Sequence, residues 1–221
     1  FANIYISLSF WENWRLYLIG MFYNLFLPGG IGGDGYKVYL LNNQFKTPVK
    51  ELLRASLLDR LGGLIAILGL LFGILFLIDI PLPFGDPIVG KALLVVGLLG
   101  VVPGFWLVQK WFFSNFLSSF WQGIFWSLVG QLAQMAAVVC LLLALGVQDK
   151  FLAYQAVFLL SSIVAVLPLT IGGVGARELV VVYAHSYAGI QETEAVAFSL
   201  LFFLISAAVS LSGAWVKWKR E

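Results

Sequence analysis

Four charged residues stand beside two glycine clusters, and they define the chemistry to consider first. Asp34 and Lys37 belong to Leu27–Lys37 (LPGGIGGDGYK), while Arg177 and Glu178 close the stretch from Leu167 (LPLTIGGVGARE). Both stretches read Leu-Pro-x-x-Ile-Gly-Gly-x-Gly-x-(Lys/Arg), with Lys37 and Arg177 in the same register. Pro28 and Pro168 lack a backbone N–H and weaken the helix in which each stands. Gly32, Gly33 and Gly35 in one copy, and Gly172, Gly173 and Gly175 in the other, permit a sharp turn and close backbone approach. A helix starting just after such a turn aims its free N–H groups and positive dipole end at it, and the adjacent cation adds to that field. The arrangement suits a phosphate or phosphodiester. Asp34 and Glu178 read either as local ion-pair partners of the cations or as ligands for an amine or a coupled proton. The glycines have a competing reading too, as small residues that let helices pack closely. Duplication, with a cation in the same register each time, favours the anion site.

The elements that must position these residues follow from composition. Of 221 residues, 61% are hydrophobic and 11% charged, with a mean hydropathy of +0.97. A soluble domain carries about a quarter charged residues. The apolar residues come in blocks near the ~20 needed to cross a bilayer core. The expected fold is an all-α polytopic membrane protein. It is read as a single transmembrane domain over 1–221, a helical bundle with two glycine-rich helix breaks related by an internal repeat. Phe1 in place of Met leads us to expect further spans upstream. The net charge of +2 argues against a nucleic-acid partner, and Cys140 and His185, each the only one of its kind, exclude Cys- or His-based metal sites. No cofactor is expected.

Spans are predicted at 14–29, 61–80, 88–109, 122–146, 152–169 and 195–216. Thr47 and Pro48 read as a helix start. The amphipathic stretch that follows is expected to lie along the interface and turn into a span at Leu61, the alternative being one long tilted helix. After each glycine cluster comes a segment too short to cross as a plain helix: Tyr36–Phe45, and Leu179–Ile190, which would rise only ~18 Å against a ~30 Å core. Short, interrupted segments at corresponding places in two halves point to a transporter's binding site. Unwound backbone at membrane depth survives only where protein covers it or a wet cavity runs past it. Both parallel and inverted relations between the halves are open.

Placing the loop at 34–60 in the cytoplasm puts Lys37, Lys46, Lys50, Arg54, Arg60, Lys110, Arg177, Lys217, Lys219 and Arg220 on one side. Lys217, Lys219 and Arg220 join that side only if the short 179–190 stretch and its unwound flanks together complete a crossing; only Arg15, Lys91 and Lys150 then fall on the other, so the C-terminus is expected to be cytoplasmic. Asn24, one turn before Pro28, is a candidate to cap or bridge backbone groups freed by the break. Asp59 and Arg60 stand at the entrance to a span, where snorkelling side chains are common, and Arg54 reads the same way. Gln131 and Gln134 share a helix face, either lining a polar path or bonding between helices. His185 reads as a hydrogen-bonded helix residue. No catalytic constellation emerges, since Ser161 and Ser162 have no base in a recognisable pattern, and no enzyme activity is expected.

Three stretches carry a resemblance: Asn24–Leu41 (NLFLPGGIGGDGYKVYLL), Leu52–Leu64 (LLRASLLDRLGGL) and Leu167–Tyr183 (LPLTIGGVGARELVVVY). Together they resemble the lysylphosphatidylglycerol synthase transmembrane-region family, in the same order and over most of the chain. The resemblance implies a flippase-like inner-membrane bundle that binds or moves a lipid headgroup, with a phospholipid or polyprenyl-phosphate lipid as partner. Two-domain members add a cytosolic aminoacyltransferase domain that has no counterpart in these residues, so the resemblance implies no synthase activity. Lys37 stands where the family commonly has Arg, and Asp34 where it often has Glu; both keep the charge. The family's usual length also exceeds 221 residues. Two alternatives remain beside a lipid translocase. One is a scaffold that docks a separate cytosolic enzyme through Lys46, Lys50 and Arg54. The other is a transporter of a small soluble anion, which would enclose its cavity rather than open it sideways to lipid.

Overall fold

The computed structural model describes residues 6, 8–27, 31–78, 86–166 and 175–218. Among these, every regular element is helical. In chain order the helices are α1 (Phe10–Phe26), α2 (Gly32–Phe45), α3 (Val49–Leu77), α4 (Pro87–Phe112), α5 (Phe120–Ala144), α6 (Phe151–Val166), α7 (Ala176–Ala188) and α8 (Glu192–Leu211). Single 3₁₀ turns at Ser114–Ser119 and Ser212–Trp215 lead into α5 and follow α8.

Local chemistry accounts for most boundaries. Ser9 and Glu12 form a reciprocal capping box at α1, with Glu12 N–H donated to Ser9 Oγ at 3.2 Å and Ser9 N–H to Glu12 Oε2 at 2.8 Å. Asp86 accepts the Ile88 N–H at 2.8 Å, and Pro87 opens α4, where its missing N–H costs nothing. Pro103 lies inside α4 without ending it.

Two expectations change here. The stretch from Val49 runs unbroken into the span as one 29-residue helix, so the long-helix alternative holds rather than an interfacial helix turning at Leu61. Nothing at Asp59–Leu61 interrupts the backbone ladder, and Arg60 finds a carboxylate on α2 instead of snorkelling to the surface. The second change is at α2, which begins at Gly32 and so runs through its glycines rather than starting after them.

Among the described residues, four elements are long and apolar enough to cross a membrane: α3, α4, the Ser114–Ala144 stretch containing α5, and the Glu192–Trp215 stretch containing α8. Neither α1 and α2 (17 and 14 residues) nor α6 and α7 (16 and 13) reach that length singly. At 1.5 Å per residue they rise roughly 20–26 Å, short of the ~30 Å core. In the sequence, the Leu27–Lys37 stretch runs from the end of α1 into α2, and the Leu167–Arg177 stretch from the end of α6 into α7.

Packing mirrors that pairing. α1 lies on α2 and α6 on α7; α2 lies on α3 and α7 on α8; α3 lies on α6 and α8 on α1. Exchanging α1–α3 for α6–α8 reproduces the same set of contacts. The α4 helix attaches to α3, and α5 to α3, α6 and α8.

The core centres on α6, which is buried continuously from Ala153 to Leu159 by α3, α5, α7 and α8. A smaller cluster of Ile6, Leu16, Val38, Leu41 and Leu52 joins α1, α2 and α3. Trp218 packs against that cluster and donates its indole N–H to Gln44 Oε1 at 2.6 Å, tying the tail to α2. On α4 and α5, side chains such as Ile88, Leu99 and Trp126 face outwards. Acyl chains solvate such faces as well as protein does, so close packing, not exclusion of water, holds these helices together.

Candidate functional site

At the first break, α1 caps α2. Gly33 donates its N–H to Asn24 Oδ1 at 2.8 Å, satisfying a donor at the start of α2 that no residue within that helix can reach. The two helices touch backbone to backbone. A Cβ on Gly33 would lie 1.9 Å from the carbonyl oxygen of Gly20, so no larger residue fits there. Lys37 lies across Gly20, where a Cβ would meet its Cε at 2.0 Å. Its ammonium sits 5.2 Å from the centre of the Tyr17 ring and 3.3 Å from Asp34 Oδ1.

Asp34 is shared. Its other oxygen accepts from Arg60 Nε at 2.5 Å, across from α2 to α3. The Asp34, Lys37 and Arg60 side chains are 16%, 17% and 26% exposed, so this is a half-buried ion triad, not a surface pair. Asp59 stands within electrostatic range of all three. Arg54 is elsewhere, paired with Glu51 on α3 at 3.2 Å. Gly35 has open space around it.

The second break is built differently. Gly175 precedes α7 with φ +82°, a conformation that a side chain would strain. Its N–H is donated to Glu178 Oε2 at 2.6 Å, and Glu178 Oε1 accepts from Ser199 Oγ of α8 at 3.4 Å. Glu178 is therefore turned to its own helix end and to α8. Arg177 points inward between α6 and α8. Its Nη1 reaches Ser162 Oγ at 3.3 Å, and its guanidinium carbon lies 5.6 Å from the Phe158 ring centre and 5.4 Å from that of Phe202. Among the described residues, Arg177 takes part in no ion pair. One break thus carries a cation neutralised by Asp34, and the other a cation held by a hydroxyl and two aromatic faces.

Beside α7 runs an apolar groove of about 740 Å³, lined by Leu160, Val164, Gly175, Ala176, Leu179, Val180, Tyr183, Ala184 and Tyr187. It begins at Gly175 and lies open along the outward side of α6 and α7, whereas Arg177 is turned to Phe158 and Ser162 on the inward side of α6. A polar cleft of about 360 Å³ sits past the other end of α7, between the loops at 146–150 and 189–191. There Lys150 Nζ donates to the Gly189 carbonyl at 2.5 Å, and the Tyr154 hydroxyl donates to Glu194.

Of the residues singled out by sequence, Asn24, Gly33, Asp34, Lys37 and Arg60 come together at the first break, with Asp59 beside them. Arg177 and Glu178 meet α6 and α8 at the second. Pro28, Pro168, Gly172 and Gly173 lie outside the described residues. Gln131 is buried on α5, with no partner for its Oε1 among the described residues, and Gln134 is half-buried one turn on. The surroundings of Arg177, namely Phe158, Ser162 and Phe202, went unrecognised in the sequence; an aromatic or a serine inside an apolar span carries no signal until helices are packed.

The helices and their packing define an integral membrane protein of the all-α polytopic class. The chain matches the family model described as lysylphosphatidylglycerol synthase TM region over residues 4–213, and it belongs to that family. Neither a curated protein nor a solved structure matches it.

Proposed function

We propose that the protein binds a phosphate-bearing membrane lipid, a phospholipid or polyprenyl phosphate, by its headgroup at the α6–α7 break, and moves that lipid between leaflets. The observation that carries this reading is Arg177: a guanidinium drawn inside the bundle, in no ion pair among the described residues and with the Glu178 carboxylate acting on it only at longer range, beside the start of a short helix. An intramembrane cation of this kind is costly unless it serves a charge that comes and goes. A groove on the outward side of the same helix pair opens sideways, which supports a lipid over a small soluble anion.

In this reading the first break is the fixed counterpart of the second. The shared contact pattern of α1–α3 and α6–α8 supports a repeat, and Lys37, already satisfied by Asp34, holds its half together. The basic side of the protein faces the cytoplasm, with the membrane being the inner one.

Reconstitution into vesicles containing fluorescent phosphatidylglycerol tests the proposal. Arg177→Ala is expected to lower the translocation rate at least tenfold, with Arg177→Lys recovering part of it. Translocation by Arg177→Ala at the wild-type rate would show the assignment to be wrong.

A further inference from the structure

We infer that α1–α3 and α6–α8 form an inverted repeat, in which the two short helix pairs are hairpins entering the membrane from opposite faces, each carrying its cation to about mid-depth. Each short pair folds back on itself. Between α1 and α2, Asn24 and Gly20 meet Gly33, and Gly20 and Tyr17 meet Lys37, so α1 starts on the side where α2 ends. Between α6 and α7, Ser162 meets Arg177, while Lys150 just before α6 meets Gly189 just after α7. Thus α6 too starts on the side where its partner ends.

Three crossings separate the hairpins, since α3, α4 and the stretch containing α5 are each long enough to span. An odd number puts the start of α6 on the face opposite the end of α2. The α8 helix supplies an independent check. It begins beside the start of α6, where Glu194 accepts from the Tyr154 hydroxyl. After α8, Gly213 packs so closely on α1 that a Cβ would lie 2.2 Å from the Leu18 carbonyl oxygen, and Trp218 reaches Gln44 at the end of α2. One crossing by α8 therefore returns the chain to the first face, as inversion requires.

The joints of the two halves match as well. α2 is closed by Lys46 at φ +53° and α7 by Gly189 at φ +63°, both left-handed, a conformation uncommon for a lysine. Two residues follow in each case, and the second, Pro48 or Gln191, has ψ 129° or 131° before α3 or α8 begins. Charge follows the same division. Lys46, Lys50, Arg54 and Lys110 lie at helix ends on the first face, whereas Lys91 and Lys150 stand among Asp86, Asp149, Glu192 and Glu194 on the other. That asymmetry places the first face in the cytoplasm.

Lys37 stands about 12 Å from the Phe45 end of α2, and Arg177 about 17 Å from the Ala188 end of α7, at 1.5 Å per residue. Measured from opposite faces of a ~30 Å core, both lie near its middle. A headgroup entering from either leaflet then meets a cation after crossing about half the core, the depth at which inverted repeats hold their substrates. Only this last consequence rests on the headgroup reading; the threading of the chain does not.

Single-cysteine variants of the full chain, made in a Cys140→Ser background because Cys140 is exposed, test both parts. Lys50 and Thr193 are the second residues of α3 and α8, and both are exposed. In membrane vesicles of one orientation, an impermeant maleimide is expected to label Lys50→Cys and Thr193→Cys from opposite faces, with a preference of about tenfold or more in each. Labelling of both from the same face would overturn the inversion. Lys46→Cys and Gln191→Cys give the same comparison if the first pair is not recovered folded. For depth, Tyr39→Cys and Leu179→Cys lie two residues past each cation and are exposed. A nitroxide on either is expected to be reached by oxygen in preference to a water-soluble nickel complex, as near the bilayer centre. A headgroup-depth reading at either position would overturn the mid-depth placement. Neither measurement involves lipid transport, so wild-type translocation by Arg177→Ala would remove the headgroup reading while leaving the inverted threading in place.

Discussion

Asn24 of α1 accepts the backbone N–H of Gly33 at 2.8 Å, so the end of α1 caps the start of α2, which packs back along it. The contact depends on Gly33 and Gly20 lying backbone to backbone, which a Cβ would prevent. Asn24→Ala removes the acceptor and is expected to destabilise the protein by about 1 kcal/mol, as for other lost caps. Gly33→Ala should cost more, about 1–3 kcal/mol, because α1 and α2 must move apart. Thermal unfolding in detergent measures both, and equal stability for Gly33→Ala and wild type would contradict the close packing.

The Asp34–Arg60 pair should behave unlike the Arg54–Glu51 pair. The former joins two helices at 26% or less exposure, and the latter lies within one helix with Arg54 41% exposed. A double-mutant cycle on Asp34→Asn and Arg60→Gln is expected to give a coupling of about 1–3 kcal/mol. The surface pair should give about 0.2–0.5 kcal/mol. Comparable couplings would mean that the triad is as solvated as the surface pair.

Arg177 rests on two rings, and those rings can be removed without touching the charge. Phe158→Leu and Phe202→Leu should each weaken the seat by about 0.5–1 kcal/mol. In the reconstituted assay this corresponds to a two- to fivefold fall in translocation, with the double variant approaching Arg177→Ala. Translocation unaffected by the double change would show that the aromatic faces do not position the guanidinium.

Gln131 separates a polar path from a packing role. Its Oε1 is buried and has no partner among the described residues. Gln131→Leu removes that atom while keeping the volume close, so unfolding stability should stay the same or rise by up to about 1 kcal/mol. Translocation at the wild-type rate is expected as well. A loss of translocation with stability intact would place Gln131 on the lipid's route.

Much of the architecture was legible in the order of residues. Runs of apolar residues near the length of a bilayer core required membrane helices, since lipid leaves backbone polar groups no partner outside their own helix. The glycine stretches marked where α2 and α7 start, and at Gly175 a glycine takes a turn that a side chain would strain. The short segments after them were visible as lengths alone. Local propensity did not show that α2 begins at Gly32, because that start depends on Gly33 meeting Gly20 and on Asn24 reaching across from α1. Nor did it show that α3 runs straight through Asp59 and Arg60, which requires a carboxylate waiting on α2.

The two motifs look equivalent when written out, with a cation in the same place in each. Sequence alone determined that equivalence, together with the class of protein and the positions of its breaks. Tertiary structure alone decided that the cations differ: Lys37 finds Asp34 one turn away and Arg60 beside it, while Arg177 finds Ser162, Phe158 and Phe202. The physical reason is that a charge's environment is set by side chains from other helices, whose approach depends on packing rather than on neighbours in the chain.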